Sequence, residues 1–238
     1  MTSRYLPQLF VTLILVLAAC SKAETPIETS SPAPVTANTQ KAIAEQQRPI
    51  VVMLGDSLTA GYGLPQDKAL PEQINERLRL QSIEASIINA GVSGDTTRAG
   101  LARYDWSVKS ANADILLIAL GANDFLSGYP PNVAEDNLAK IIEMAQSDAI
   151  KVALIGLKAK ANSRPLNWED EYADIFANLS KKYGVPLYDD LLGPLGTDST
   201  LLQPDGLHPT QTGVASIAKG LEPFVIEQIS AWRSEQTE

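Results

Sequence analysis

The chain has 238 residues, 45% hydrophobic and 20% charged, which fits one ordinary domain with a full core plus a further segment and excludes general disorder. Lys and Arg number 19 against 28 Asp and Glu, a formal charge of −9, whereas a groove that neutralises phosphates needs a basic face, so the balance argues against nucleic-acid binding. One His and one Cys exclude a Cys/His zinc site and an internal disulfide, and they leave His208 as the sole imidazole for acid–base chemistry.

In chain order, Arg4 precedes an apolar run from Leu9 to Leu17, too short to span a bilayer comfortably and shaped like the core of a secretory signal. It ends in Leu17-Ala18-Ala19-Cys20, which resembles the lipobox of bacterial lipoproteins. That resemblance implies a signal peptide over 1–19, cleavage before Cys20 and lipid on the Cys20 sulfur, so the membrane is a partner. Ser21, where an Asp would signal retention, resembles outer-membrane sorting, which implies a lipoprotein of the bacterial envelope facing the periplasm. The alternative is ordinary cleavage that leaves Cys20 a spare thiol. Residues 20–48 carry Pro26, Pro32 and Pro34 among Ser, Thr, Ala and Gln, with no aromatic side chain, and are predicted to be a flexible linker. The folded domain is then 49–238.

From Pro49 onward, short apolar runs without polar alternation appear at Ile50–Leu54, Ala85–Asn89, Ile115–Leu120, Val152–Ile155 and Val185–Tyr188, as strands of a parallel sheet covered on both faces would. Between them lie helical patterns at Leu70–Leu80, Thr96–Arg103, Asn132–Gln146 and Glu169–Tyr183, and Thr210 is placed to cap a last helix running towards Trp232. Alternating β and α predicts a three-layer α/β/α sandwich around a flavodoxin-like parallel sheet with the first strand central.

Ligands of such sheets bind beyond the carboxyl ends of the strands, where the strand order reverses. Strand one runs into Gly55-Asp56-Ser57-Leu58, strand two into Gly91-Val92-Ser93-Gly94-Asp95, and strand three into Gly121-Ala122-Asn123-Asp124; Asp205-Gly206-Leu207-His208-Pro209 precedes the last helix. A nucleophilic serine needs a base, and the base needs an orienting partner. Ser57 supplies the hydroxyl, His208 is the one candidate base, and Asp205, three residues before it, can reach the far side of the imidazole. The order Ser, Asp, His also occurs in α/β-hydrolases, but their G-x-S-x-G elbow is missing around Ser57 and around the rival nucleophile Ser93.

Together, GDSLTAGYGL, NAGVSGDTTRAGLAR, LGANDFLSGYPP and PDGLHPTQTGVASIA resemble the SGNH (GDSL-type) hydrolase superfamily, and within it the bacterial thioesterase/arylesterase/lysophospholipase group, from about Pro49 to about Phe224. The resemblance implies Ser57 as nucleophile, His208 as base, Asp205 as its orienter, and Gly94 and Asn123 as oxyanion donors, with no metal and no cofactor. Ala122, where close relatives often have Gly, and the polar, Lys-bearing stretch 157–168 depart from the pattern. The implied activity is hydrolysis of small acyl esters, thioesters or lysophospholipids through an acyl-enzyme. A carbohydrate O-acetylesterase of the same fold and a non-catalytic, lipid-anchored binding domain are the alternatives.

The oxyanion assignment has a physical basis as well. A tetrahedral intermediate needs fixed donors about 3 Å from its oxygen, and the Ser57 N–H, the Gly94 N–H and the neutral Asn123 amide are such donors. Asp56 and Asp124, beside them, read as carboxylates that fix loops by accepting local backbone N–H bonds. An acyl group leaving this site passes the stretch after Asn123, so Phe125, Leu126 and Tyr129 are expected to line its path, or else simply to cover the sheet.

Overall fold

The computed structural model describes residues 48–158 and 168–237. The expected signal peptide, Cys20, nearly all of the expected linker and most of the polar stretch 157–168 lie outside the described residues.

Five apolar runs form β1 (Ile50–Gly55), β2 (Ser86–Gly91), β3 (Ile115–Ala119), β4 (Lys151–Ile155) and β5 (Leu187–Tyr188), all parallel, in the order β2-β1-β3-β4-β5. The first strand is central to the reversal, as the flavodoxin-like expectation requires. Around the sheet lie α1 (Ser57–Ala60), α2 (Leu70–Leu80), α3 (Thr97–Ala102), α4 (Ala122–Ser127), α5 (Pro131–Ser147), α6 (Trp168–Tyr183) and α7 (Gln211–Glu235).

Side chains alternate across a strand, and here both sets are apolar. Val52, Leu54, Leu116, Ile118 and Leu154 face Leu138, Ile141 and Ile142 of α5 and Ile175, Phe176 and Leu179 of α6. Val51, Met53, Ile115, Leu117 and Ile155 face Ile74 and Leu78 of α2 and Ile217, Leu221 and Val225 of α7. Two cores on one sheet make the three layers.

The edges depart from the uniform burial expected of every strand. In β2 only Ile87 is buried, and β5 is two half-buried residues, because each has a neighbour on one side alone. Asn75 of α2 covers part of the β2 edge by bonding one backbone unit twice: its Nδ2 donates to the Ile87 carbonyl at 2.7 Å and its Oδ1 accepts the Ile87 N–H at 2.8 Å.

Register then positions the loops. Gly55 is level with Gly91 on one side and Ala119 on the other, so the three segments after β1, β2 and β3 begin at one height. The last helix is capped as its sequence predicts, Thr210 Oγ1 accepting the Gly213 N–H at 3.2 Å, and that cap sits directly after His208.

Candidate active site

Ser57 opens α1 because Asp56 caps it, the Asp56 Oδ1 accepting the Leu58 N–H at 3.0 Å. The hydroxyl therefore stands at the end of β1 on a fixed turn. Across from it, the turn Asp205–His208 is closed by its own carboxylate: Asp205 Oδ1 accepts the N–H groups of Leu207 and His208 at 2.9 and 3.0 Å. Gly206, with φ +68°, supplies the left-handed residue this turn needs.

The geometry brings Ser57, His208 and Asp205 into one relay. His208 Nε2 lies 2.9 Å from Ser57 Oγ, and His208 Nδ1 lies 2.7 Å from Asp205 Oδ2. The bond from His208, with the two backbone donors, draws the Asp205 carboxyl down from 3.8 to about 2, so near neutral pH it is ionised and can only accept. Nδ1 consequently carries the proton and Nε2 offers its lone pair to the serine hydroxyl. Ser93 borders the same cavity, but the imidazole bonds Ser57.

Three loops are tied together behind this relay. Arg103 Nε donates to Asp95 Oδ2 at 2.6 Å while its Nη2 donates to the Gly55 carbonyl at 2.9 Å, linking the loop after β2 to the end of β1. Asn123 Nδ2 donates to the Asp95 carbonyl at 2.9 Å and, at a long 3.4 Å, to Asp56 Oδ2. The backbone N–H groups of Ser57 and Gly94 donate to no acceptor among the described residues. Gly94 has φ +89°, and a Cβ there would meet nothing within 4 Å; the glycine is demanded by the backbone conformation.

Asp56 is 1% exposed, and burial pushes its carboxyl up from 3.8 to about 6, against the opposing pull of the Leu58 N–H and the nearby His208. It is more than a local loop-fixing group, since it also meets Asn123. Asp124 is equally buried, but its partners lie across the fold in Thr97, whose N–H and Oγ1 both donate to it at 2.7 Å.

A cavity of about 260 Å³ opens over the relay, bordered by Ser57, Gly94, Asn123 and His208 and walled by Leu58, Tyr62, Leu126, Leu157, Leu192 and Leu207. It shares Leu126, Leu157, Leu192 and Leu207 with a second cavity of about 570 Å³ that runs on beneath Gly193–Ser199. Of the expected acyl-path residues, Leu126 borders both cavities. Phe125 is 2% exposed, packed edge-on against Tyr172, and touches only the larger one. Tyr129 borders neither; its carbonyl accepts the Tyr172 hydroxyl at 2.7 Å. Sequence reasoning missed the wall roles of Leu192, which no motif marks, of Leu157 and Leu207, which lie in stretches singled out for other reasons, and of Tyr62, whose ring lies against His208. Among the described residues no three His, Cys, Asp or Glu side chains cluster as a metal would need.

The model of the GDSL-like lipase/acylhydrolase family matches residues 53–215. A Vibrio mimicus protein named arylesterase is 34% identical over 186 residues, covering 78% of this chain and 90% of that one. The thioesterase 1/protease 1/lysophospholipase L1 of Escherichia coli K12 is 30% identical over 179 residues, covering 74% and 84%. The crystal structure of a psychrotrophic esterase from Pseudoalteromonas, inhibited by monoethylphosphonate, superposes with a TM-score of 0.72 at 25% identity, covering 76% of this chain and 99% of that one. A Bacillus subtilis protein named as an uncharacterized lipoprotein is 27% identical over 220 residues, covering 75% and 90%.

Proposed function

This chain belongs to the GDSL-like lipase/acylhydrolase family, and from that premise we propose a serine hydrolase of acyl esters and thioesters in which Ser57, His208 and Asp205 carry the reaction. The observation that carries the reading is the relay of 2.9 and 2.7 Å from Ser57 through His208 to Asp205, open to a cavity walled by leucines.

Ser57 Oγ attacks the substrate's carbonyl carbon while His208 Nε2 takes its proton, and the imidazolium that forms faces the ionised Asp205. Negative charge gathers on the former carbonyl oxygen, where the N–H groups of Ser57 and Gly94 and the Asn123 amide receive it. Asn123 frees a hydrogen for this by giving up its long contact with Asp56 while keeping its bond to the Asp95 carbonyl. The intermediate collapses, the alcohol or thiol leaves with the proton from His208, and water repeats the sequence to release the acid. The acyl chain runs past Leu126, Leu192 and Leu207 towards the larger cavity.

The Cys20 lipid anchor and an outer-membrane location facing the periplasm belong to the same proposal, supported by the lipobox-like sequence and by the lipoprotein name of the Bacillus subtilis relative. The test is Ser57→Ala, which should fold as the parent does and lose at least ~10³-fold in kcat, with a fluorophosphonate labelling Ser57 alone in the native parent. Full activity in that variant, or labelling at Ser93, overturns the assignment.

A further inference from the structure

We propose that Tyr62 is a positioning residue for the Ser57–His208 pair, and that its ring face stabilises the imidazolium formed when Ser57 gives up its proton. The proposal rests on the serine-hydrolase reading above. The Tyr62 ring lies 4.3 Å, centroid to centroid, from the His208 ring, with the planes tilted by 33°. Its backbone is fixed to both partners. The Tyr62 N–H donates to the Ser57 carbonyl at 3.1 Å, and the Tyr62 carbonyl accepts from Gln203 Nε2 at 2.8 Å. That same nitrogen donates to the Pro209 carbonyl at 2.9 Å, and the Gln203 N–H donates to the His208 carbonyl at 2.7 Å. One carboxamide thus staples the loop after α1 to the loop that carries the base, and Tyr62 occupies the seam.

Tyr62 is half exposed, so its ring is not there to fill the core. A π-face attracts a cation laid over it and does little for a neutral imidazole, so the contact favours the protonated state that exists during attack and collapse. The other groups acting on this imidazole are Asp205 at Nδ1 and the buried carboxyl of Asp56, both acidic. Tyr62 also borders the reaction cavity, so a substrate contact is the competing explanation, and the two differ in what they move.

The test compares purified parent, Tyr62→Leu and Tyr62→Phe. His208 is the chain's one histidine, so its ring signals in an NMR pH titration are unambiguous. Replacing the ring by Leu should lower kcat about five- to thirtyfold for acetate and hexanoate esters alike, leave KM nearly unchanged and move the imidazole titration to lower pH. Tyr62→Phe, which keeps the π-face, should restore both. A Tyr62→Leu protein with parental kcat and parental titration overturns the proposal, and so does a raised KM that grows with acyl length while the titration stays put. Turnover retained in Ser57→Ala would instead bring down the serine-hydrolase reading, and the imidazole titration would still report on the stack.

Discussion

Asp56 shows what one buried carboxyl can trade. Its ionisation is raised from 3.8 to about 6, chiefly by burial. A group whose folded value lies above its unfolded one contributes its full share of stability below pH ~4 and loses it as pH climbs towards ~6. The difference amounts to about 3 kcal/mol above that range. Asp56→Asn removes the titration and keeps an oxygen for the Leu58 N–H, but it turns an amide N–H₂ towards Asn123 Nδ2. We therefore expect a protein more stable than the parent at pH ~7 and no more stable at pH ~4, with kcat about tenfold lower because the oxyanion donor is displaced. Thermal melts at the two pH values and steady-state kinetics check this. At this scale the relay was legible because a single histidine forces the assignment. The acyl-path residues were less so. Phe125 and Leu126 lie in α4, six residues long, and so short a run gives no periodicity to say which side chain turns inward.

Elements decide the two features that sequence pattern left open, the sheet's edges and the groove's walls. The second run, with Ser86 and Asn89, is more polar than the first and third, but only tertiary order makes β2 an edge. Its exposed ladder is blunted at Ile87 by Asn75, a residue that looks like any polar helix position in the sequence. Asn75→Ala should cost about 1–2 kcal/mol and increase concentration-dependent aggregation, seen by denaturant melts and light scattering. The groove's walls come from α4, from Leu157 just beyond β4, and from the two segments before α7, which meet only in three dimensions. Leu192 lines both cavities. Each buried methylene of the acyl chain is worth up to ~0.8 kcal/mol, about fourfold, until the groove ends. Across acetate, butyrate and hexanoate esters, the parent's kcat/KM should rise, and Leu192→Trp should flatten that rise. A variant with the parental chain-length profile would mean the acyl group lies elsewhere.

For the molecule as a whole, the alternation of apolar runs and amphipathic segments predicts three layers, and the order β2-β1-β3-β4-β5 agrees with the flavodoxin-like expectation, which alternation by itself does not single out. Two cores on one sheet need no other information. The N-terminal stretch was read from its apolar run, the lipobox-like Leu17-Ala18-Ala19-Cys20 and the linker-like composition of 20–48. If 20–48 is a linker, protein beginning at Arg48 should fold with the parent's melting temperature and hydrolyse soluble esters at the parent's rate; a loss of either would show that the preceding residues belong to the domain.

The strands all point the same way, and that polarity separates the entrance from both ends of the fold. β1 starts at Ile50 and carries the chain some ~20 Å to the turn holding Ser57. α7 starts beside His208 and returns, so that Arg233 reaches the Glu84 carbonyl and Glu235 pairs with Lys151, both at the sheet's far rim. Arg48 lies there too, paired with Glu84 at 3.6 Å. A domain beginning at Arg48 and glued to a bead or sensor chip by either end would therefore hold its mouth towards the bulk solution, and a short peptide joining those two ends would open it to circular permutation without touching the groove.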